Sequence, residues 1–425
     1  MKKQSLYYTV LTIFIYILQL QVFIQVEEVF SYFGFVFVPD FKTIAQSIFF
    51  LFLSIPLIVY KDKDDLKSVF LKYWHFFVYI PNSILLYSAS TSTTLIVLHF
   101  IFLTTIKLVF IGYNKIYLKA FFFKTSRTLY KKTRITLFIL STLLFAPFIQ
   151  FLPNFDFRAF YLGEIYTVRA EARETSNILS GYIRAPLVRV ILPALIIIGV
   201  LAKRRMYTLV ASLLIILIYA STGALKSIIA VIPLVLLFIG CKTFLGTVKR
   251  LQFLLIFILS LAVIEDYFLN TYFITNMPNR RLLFFPGLIE QAYINEFQNN
   301  PQFYQHSIFS FFNSNPISIT KLIGGEYFGR PEMNANVGVV LDGFVNLGIF
   351  GVVLHAIIIG FSIVFLNTLN IKPSFIGLIL AYFYYINTSF IGTLFITHGF
   401  LFLLLFSRLF LNNYAYERIT HLPKL

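Results

Sequence analysis

Arg280 and Arg281 stand side by side in MPNRRLLFFPG (277–287), with apolar residues on both sides. A guanidinium is a rigid fork of donors that grips phosphate or carboxylate through paired bonds, a geometry lysine lacks. Such a pair next to a membrane suits an anionic lipid headgroup or diphosphate; the plainer alternative is snorkelling toward bulk headgroups. A second group, Arg158, Arg169, Arg173 and Arg184, is interleaved with Asp156, Glu164, Glu171 and Glu174. Arg169 and Arg173 share a helical face four residues apart, and like charges so placed repel unless an anion or acid sits between them. Lys226 follows a small-residue turn in STGALKS, where it is either a phosphate contact or the flank of an apolar segment.

Proton-transfer chemistry has three candidates. Glu265 and Asp266 close a long apolar run, and His306 lies in a polar stretch. Glu326, Arg330 and Glu332 cluster in GGEYFGRPE, as a sugar-binding group or an internal ion pair. His355 falls inside an apolar run and reads as a packed core histidine. Glu27 and Glu28 are the one adjacent carboxylate pair next to the first apolar run, too little by itself for a metal site. With a single cysteine, Cys241, and no zinc or nucleotide-loop spacing, no metal and no cofactor is expected.

The elements that position these residues are membrane helices. The chain of 425 residues is 58% hydrophobic and 12% charged, against about 25% charged in soluble domains. Apolar runs near the ~20 residues a bilayer requires fall at 6–24, 43–60, 69–88, 94–112, 135–152, 186–202, 206–222, 227–240, 251–269, 346–367, 374–391 and 393–411. The expected fold class is therefore an all-α polytopic membrane protein with about 12 spans. The run at 6–24 is long for a signal peptide and no small-residue cleavage site follows it, so it reads as a retained first span.

Lys2 and Lys3 place the N-terminus inside. On that topology the cytoplasmic side carries 24 Lys/Arg and 4 Asp/Glu, and the outer side 11 and 14. The net charge of +17 is thus a topology signal, and the basic stretch 114–134 faces anionic lipid rather than nucleic acid. Lysine outnumbers arginine 17 to 7 inside, whereas arginine outnumbers lysine 8 to 3 outside. The inside bias does not require that exchange. An arginine-rich outer face suits an oxyanion ligand, or pairing with the outer acids.

The expected organisation is a five-span region (1–152), a first outer loop (153–185), a four-span region (186–269), a large outer loop (270–345) and a three-span region (346–425), with both termini cytoplasmic. Both outer loops are expected to hold short amphipathic helices, and the apolar spacing in PGLIEQAYINEF suggests one lying in the membrane interface. The glycines of VGVVLDGFVNLGIFG permit close backbone packing or a re-entrant bend.

The segments STGALKSIIA (221–230), RLLFFPGLIEQAYINEF with NNPQFYQHS, and GEYFGRPEMNANVGVVLDGFVNLGIFGVVL (325–354) resemble the bacterial oligosaccharide repeat-unit polymerases of the Wzy type, including O-antigen polymerases. The resemblance covers mainly residues 150–365. Lys226 stands where that family often has an arginine. The resemblance implies a GT-C-like glycosyltransferase in the bacterial cytoplasmic membrane, active on the outer face in lipopolysaccharide or capsule biosynthesis. It would transfer a growing glycan from undecaprenyl diphosphate to the non-reducing end of another carrier's repeat unit. Its partners would be the lipid-linked donor and acceptor, the lipid bilayer and a chain-length regulator. Arg280 or Arg281, with Lys226, would take the leaving diphosphate. Arg158, Arg169, Arg173 and Arg184 would guide donor or acceptor, and Glu265, Asp266 or His306 would be the base. An O-antigen ligase uses the same donor. A lipid-linked oligosaccharide flippase would instead place arginines within spans, whereas the outer arginines here are expected in loops or at span ends. A membrane acyltransferase fits less well, since no histidine is paired with an acid at a span end.

Overall fold

The computed structural model describes residues 2–59, 64–88, 91–113, 149, 154–161, 163–175, 178–305, 318–369 and 371–411. Among these the protein is all-α, with no strand and one isolated bridge between Phe37 and Ser88. Among the described residues six helices are long and apolar enough to cross a membrane: Gln4–Phe33, Phe41–Ile58, Thr93–Tyr113, Tyr182–Leu201, Phe244–Leu269 and Val339–Thr368. The chain is an all-α membrane protein. The expected fifth span apart from Ile149, the basic stretch 114–134 and His306 lie outside the described residues.

The chain divides into two units that interleave along the sequence. The first comprises Met1–Tyr117, Phe244–Val364 and Tyr385–Ile391; the second comprises Leu118–Thr243, Phe365–Tyr384 and Gly392–Leu425.

In the first unit, acids set helix starts. Asp40 caps the helix Phe41–Ile58 by accepting from the Thr43 backbone N–H at 2.6 Å, and Asp65 caps Leu66–Trp74 by accepting from Ser68 at 2.9 Å. The first helix, Lys2–Phe30, packs against Phe244–Leu269. Its Tyr16 hydroxyl pairs with Ser47 (2.8 Å) and Tyr87 (2.5 Å), so the buried phenol is satisfied inside the bundle.

The helix expected at PGLIEQAYINEF is present, and a helical stretch that was not expected precedes it. Thr275–Phe284 forms wide π-helical turns that run directly into the helix Phe285–Phe297. Pro278 and Pro286 each remove a backbone donor, which favours a widened helix over a regular α-helix. The helix Phe285–Phe297 is also not interfacial: Pro286 through Ile294 are all buried. Glu290 and Gln291 bond into the unit rather than facing water, and only Asn295 and Glu296 near the helix end are exposed. Glu290 meets His99 at 2.7 Å, and Gln291 accepts from the backbone and hydroxyl of Ser92 at 2.9 and 3.1 Å. Periodicity alone does not tell a polar stripe facing solvent from one facing buried partners.

The glycine-rich segment at 337–351 makes a re-entrant bend. Helical geometry breaks at Leu347 and Gly348, where Gly348 has φ +62° and ψ −148°, a conformation open to glycine. The arms on either side fold back. His355 Nδ1 bonds the Val339 carbonyl at 2.7 Å, although sixteen residues of straight helix would separate them by about 24 Å. Gly343 and Gly351 touch backbone to backbone, and a Cβ on Gly351 would lie 2.6 Å from the Gly343 carbonyl carbon. The continuous membrane helix is therefore the second arm, which begins after Gly348.

In the second unit, Tyr182–Leu201 and Arg205–Ser221 form an antiparallel pair. Gly199 admits Thr208 so closely that a Cβ would reach its backbone nitrogen at 2.9 Å. The turn after Ser221 runs through Gly223 (φ +85°) and Ala224 (φ +50°), which fixes a tight left-handed path.

Candidate functional site

Two centres in the first unit hold convergent functional groups. The first is cationic. Arg280 is 5% exposed, and its guanidinium lies over the rings of Phe30, Phe33 and Phe285 at 4.6, 4.7 and 5.6 Å. Its Nε and one terminal nitrogen donate to Asn276 Oδ1 at 3.0 and 2.7 Å, which fixes the plane of the fork. Arg330 reaches the same Phe33 ring at 5.2 Å. Two guanidiniums that repel in isolation are therefore held on one aromatic ring. Cation–π contact offsets that repulsion by about 0.5–2 kcal/mol per cation, depending on desolvation. Arg330 is exposed and Arg280 is buried, so the pair has one solvent-facing and one anchored member.

The second centre is acidic. Asp342, 4% exposed, lies on the first arm of the hairpin, and its carboxylate accepts from Asn346 Nδ2 at 2.9 Å and from the Ile391 backbone N–H at 2.7 Å. It lines a cavity of about 140 Å³ together with Tyr293, Ser318, Thr320 and Asn346. That space is several times the ~30 Å³ of one liquid water. The arm ends at Asn346, and its terminal carbonyls are satisfied from the side: Gln302 and Phe303 donate to Val345 and Asn346 at 2.9 and 3.2 Å. Phe303 and Tyr304 hold positive φ values of 47° and 61° to do so, a strain that well-braced sites retain.

Tyr304 extends the network. Burial and the nearby Asp342 charge push its phenol up to about 12, so it stays protonated at neutral pH. The Val339 carbonyl can only accept, which puts the proton of His355 on Nδ1. Nε2 then accepts from the Tyr304 hydroxyl at 2.7 Å. His355 is thus a packed histidine, as expected, with a defined job: it ties the second arm to the first and to Tyr304.

One helix links the two centres. Phe285 touches Arg280 and Tyr293 lines the cavity; eight helical residues separate them by about 12 Å. The segment 318–335 joins the centres by a second route. Ser318 and Thr320 line the cavity, and the chain then folds back so that the Arg330 backbone donates to Gly324 at 2.8 Å and Ala335 to Thr320 at 3.0 Å.

Comparison with protein-family models, curated proteins and solved structures finds no match for this chain.

The residues singled out in the sequence separate into groups. Arg280 and Arg281 do not act as a pair: Arg280 enters the aromatic cage, while Arg281 is half-buried outside it. Glu265 caps the following turn, accepting from Phe273 and Ile274 backbone N–H groups at 2.8 and 2.7 Å and from the Thr271 hydroxyl at 3.1 Å. Asp266 accepts from Gln25 at 2.9 Å. Glu265 therefore braces the segment that leads to Arg280, and Asp266 ties the end of its helix to the first helix. Glu326 is exposed, and no ion pair joins it or Glu332 to Arg330 among the described residues. No three His, Cys, Asp or Glu side chains gather as metal ligands among the described residues.

In the second unit, Arg158 forms ion pairs with Asp156 (2.8 Å) and Glu171 (2.7 Å). Arg169 donates to the Ala224 carbonyl at 3.1 Å, and Arg184 approaches the Thr222 carbonyl at 3.5 Å. Both thereby grip the small-residue turn. The side chains of Arg173 and Lys226 lie outside the described residues. The expectation that every outer arginine sits in a loop or at a span end does not hold for Arg189. It is buried on the helix Tyr182–Leu201, because a π-helical stretch at Pro186–Ile191 turns it inward. Asp342 was not among the sequence candidates, although an acid in so apolar a run, VGVVLDGFV, was the available signal.

Proposed function

We propose that this chain polymerises lipid-linked oligosaccharide repeat units on the outer face of the bacterial cytoplasmic membrane. It transfers the growing glycan from undecaprenyl diphosphate to the non-reducing end of a new lipid-linked unit. The proposal includes about twelve spans, cytoplasmic termini and a GT-C-like plan. The observation that supports it most is the convergence of Arg280 and Arg330 on Phe33, in the segment that follows the membrane helix Phe244–Leu269.

The chemistry follows from the two centres. The acceptor hydroxyl attacks the anomeric carbon while the bond from that carbon to the diphosphate oxygen breaks. Positive charge develops on the sugar and negative charge on the leaving diphosphate. Arg280, anchored before the reaction, and Arg330, placed over the same ring, meet that growing charge with little reorganisation. Asp342 takes the proton of the attacking hydroxyl, which Ser318, Thr320 and Asn346 orient in the cavity. Glu265 and Asp266, spent on bracing, leave this role to Asp342.

The test is glycan length in cells lacking the gene, complemented with wild type, Arg280→Gln or Arg330→Gln. Single repeat units in the deletion strain, long chains with wild type and short chains with both variants are expected. Long chains with normally inserted Arg280→Gln overturn the assignment of the cationic centre. Long lipid-linked chains that never reach the acceptor would identify a ligase, and units trapped inside a flippase.

A further inference from the structure

A buried acid–imidazole pair in the first unit has no part in the chemistry assigned above. His99 lies six residues into the membrane helix Thr93–Tyr113, about 9 Å along it. Its Nε2 meets Glu290 Oε2 at 2.7 Å, and the two side chains are 0% and 1% exposed. Ionisable groups enclosed at such depth are costly and mark the handling of protons or ions.

The pair is not closed on itself. His99 Nδ1 and Glu290 Oε1 have no hydrogen-bond partner within the described protein. Neither does Nε1 of Trp74, whose ring lies 5.9 Å from the imidazole between centroids. A pair that served packing alone would have these atoms satisfied. Counting hydrogens shows what the open atoms permit. With Glu290 ionised and His99 neutral, Nε2 donates, Nδ1 is a bare acceptor and the pair carries one negative charge. One further proton makes it neutral, as imidazolium with carboxylate or as imidazole with carboxylic acid. Either way the contact between Nε2 and Oε2 persists and Nδ1 carries a hydrogen. Uptake of one proton therefore breaks no contact and removes a net charge from an apolar interior.

The titratable groups on the surrounding elements are engaged elsewhere or exposed. On Leu66–Trp74, Lys67 pairs with Asp65, Lys72 lies over the Tyr8 ring and Tyr73 stacks on Phe77. On the π-helical turns His75–Tyr79, His75 sits between Thr12 and Ser54 at 3.2 and 3.3 Å, and Tyr79 donates to the Phe50 carbonyl. On Thr275–Phe284, Arg280 is held by Asn276, and Arg281 is half-buried. Lys42 on Phe41–Ile58 and Lys321 and Glu326 on Ile319–Glu326 are exposed. Ile80–Leu85 carries no titratable side chain. On the pair's own helices, Lys107 donates to the Pro56 carbonyl and Tyr293 to the Ala335 carbonyl, while Tyr113 and Glu296 lie near helix ends. The charge of the pair is left to its own proton.

We propose that His99 and Glu290 form a proton-binding site within the membrane, which loads and releases one proton per chain, with His99 Nδ1 and Glu290 Oε1 as its open ends. Glu290 stands between Phe285 and Tyr293 on one helix. The charge state of the site therefore acts on the element that supplies a ring to the Arg280 cage and a wall to the Asp342 cavity. The site is independent of the polymerase reading.

Trp74 is the only tryptophan in the chain, so its emission reports on the neighbouring imidazole. The full chain in phosphatidylcholine nanodiscs, without substrate, is titrated from about pH 4 to about pH 9, a range over which imidazoles and carboxylates change charge. Wild type is expected to show a one-proton transition in Trp74 emission. The transition is expected to be lost in folded His99→Gln and Glu290→Gln and kept in His75→Gln. The double variant His99→Gln/Glu290→Gln leaves no lone buried charge, and it serves where the single variants do not fold. Flat emission in wild type, or a transition that survives in the double variant, overturns the proposal. Loss of the transition in His75→Gln assigns the proton to His75 and overturns it too. Glycan length does not enter this readout, so the site and the polymerase reading fail separately.

Discussion

Replacing Gly351 with alanine tests the hairpin that carries Asp342. The added Cβ would meet the Gly343 carbonyl oxygen, lie 2.6 Å from its carbon and 3.0 Å from its Cα. All three are backbone atoms, so no side chain can swing away; one arm must move. Overpacking of this kind costs about 1–3 kcal/mol. Movement of the arm also stretches the 2.7 Å bond from His355 to the Val339 carbonyl, on which the Tyr304 contact depends. For a folding unit of this size, each kcal/mol lowers Tm by about 2–4 °C, so a fall of about 2–12 °C is expected. Gly112→Ala is the control, because nothing lies within 4 Å of its Cβ position on the helix Thr93–Tyr113. There alanine is expected to stabilise by up to about 1 kcal/mol through helix propensity. The assay is thermal unfolding of both variants in the same detergent, with chain length of the glycan product as a second readout. A Gly351→Ala protein as stable as wild type, with normal product, would show that the two arms do not touch and would refute the hairpin.

Two further outcomes are expected. Asp342→Asn keeps the volume and the bond from the Ile391 backbone but cannot take a proton, so glycan elongation in cells should fall at least a hundredfold with normal protein levels; near-normal elongation would remove Asp342 from the chemistry. Arg158 donates to both Asp156 oxygens at 3.2 and 3.0 Å and holds that carboxyl below its usual range. A carboxyl depressed in the folded state contributes stability above its unfolded pKa, about 3.9, and loses it as pH falls through the folded value. Hydrogen exchange over residues 154–175 should therefore be slower in wild type than in Arg158→Gln above about pH 4, and the difference should vanish as pH falls below that value; identical profiles across the range would refute the pairing.

The sequence by itself determined that this is an all-α membrane protein, because hydrophobic runs of bilayer length are a property of composition and order alone. It also marked Arg280 and the glycine-rich segment as unusual, the first by its type of charge and the second by residues that only a bend or a close approach requires. It did not separate Arg280 from Arg281, since adjacent residues on a helix point in different directions and only the positions of Phe30, Phe33 and Asn276 decide which is held. Nor did it distinguish an interfacial helix from a buried one at Phe285–Phe297, where the partners of Glu290 and Gln291 come from residues about 190 positions earlier. Glu265 and Asp342 make the same point in opposite directions. Both are acids beside or within apolar runs, yet tertiary structure surrounds one with the backbone donors of the next turn and leaves the other facing a cavity. The physical reason is common to all of these: charge and hydropathy are local quantities, whereas what a polar group does depends on which donors and acceptors the fold brings within about 3 Å of it.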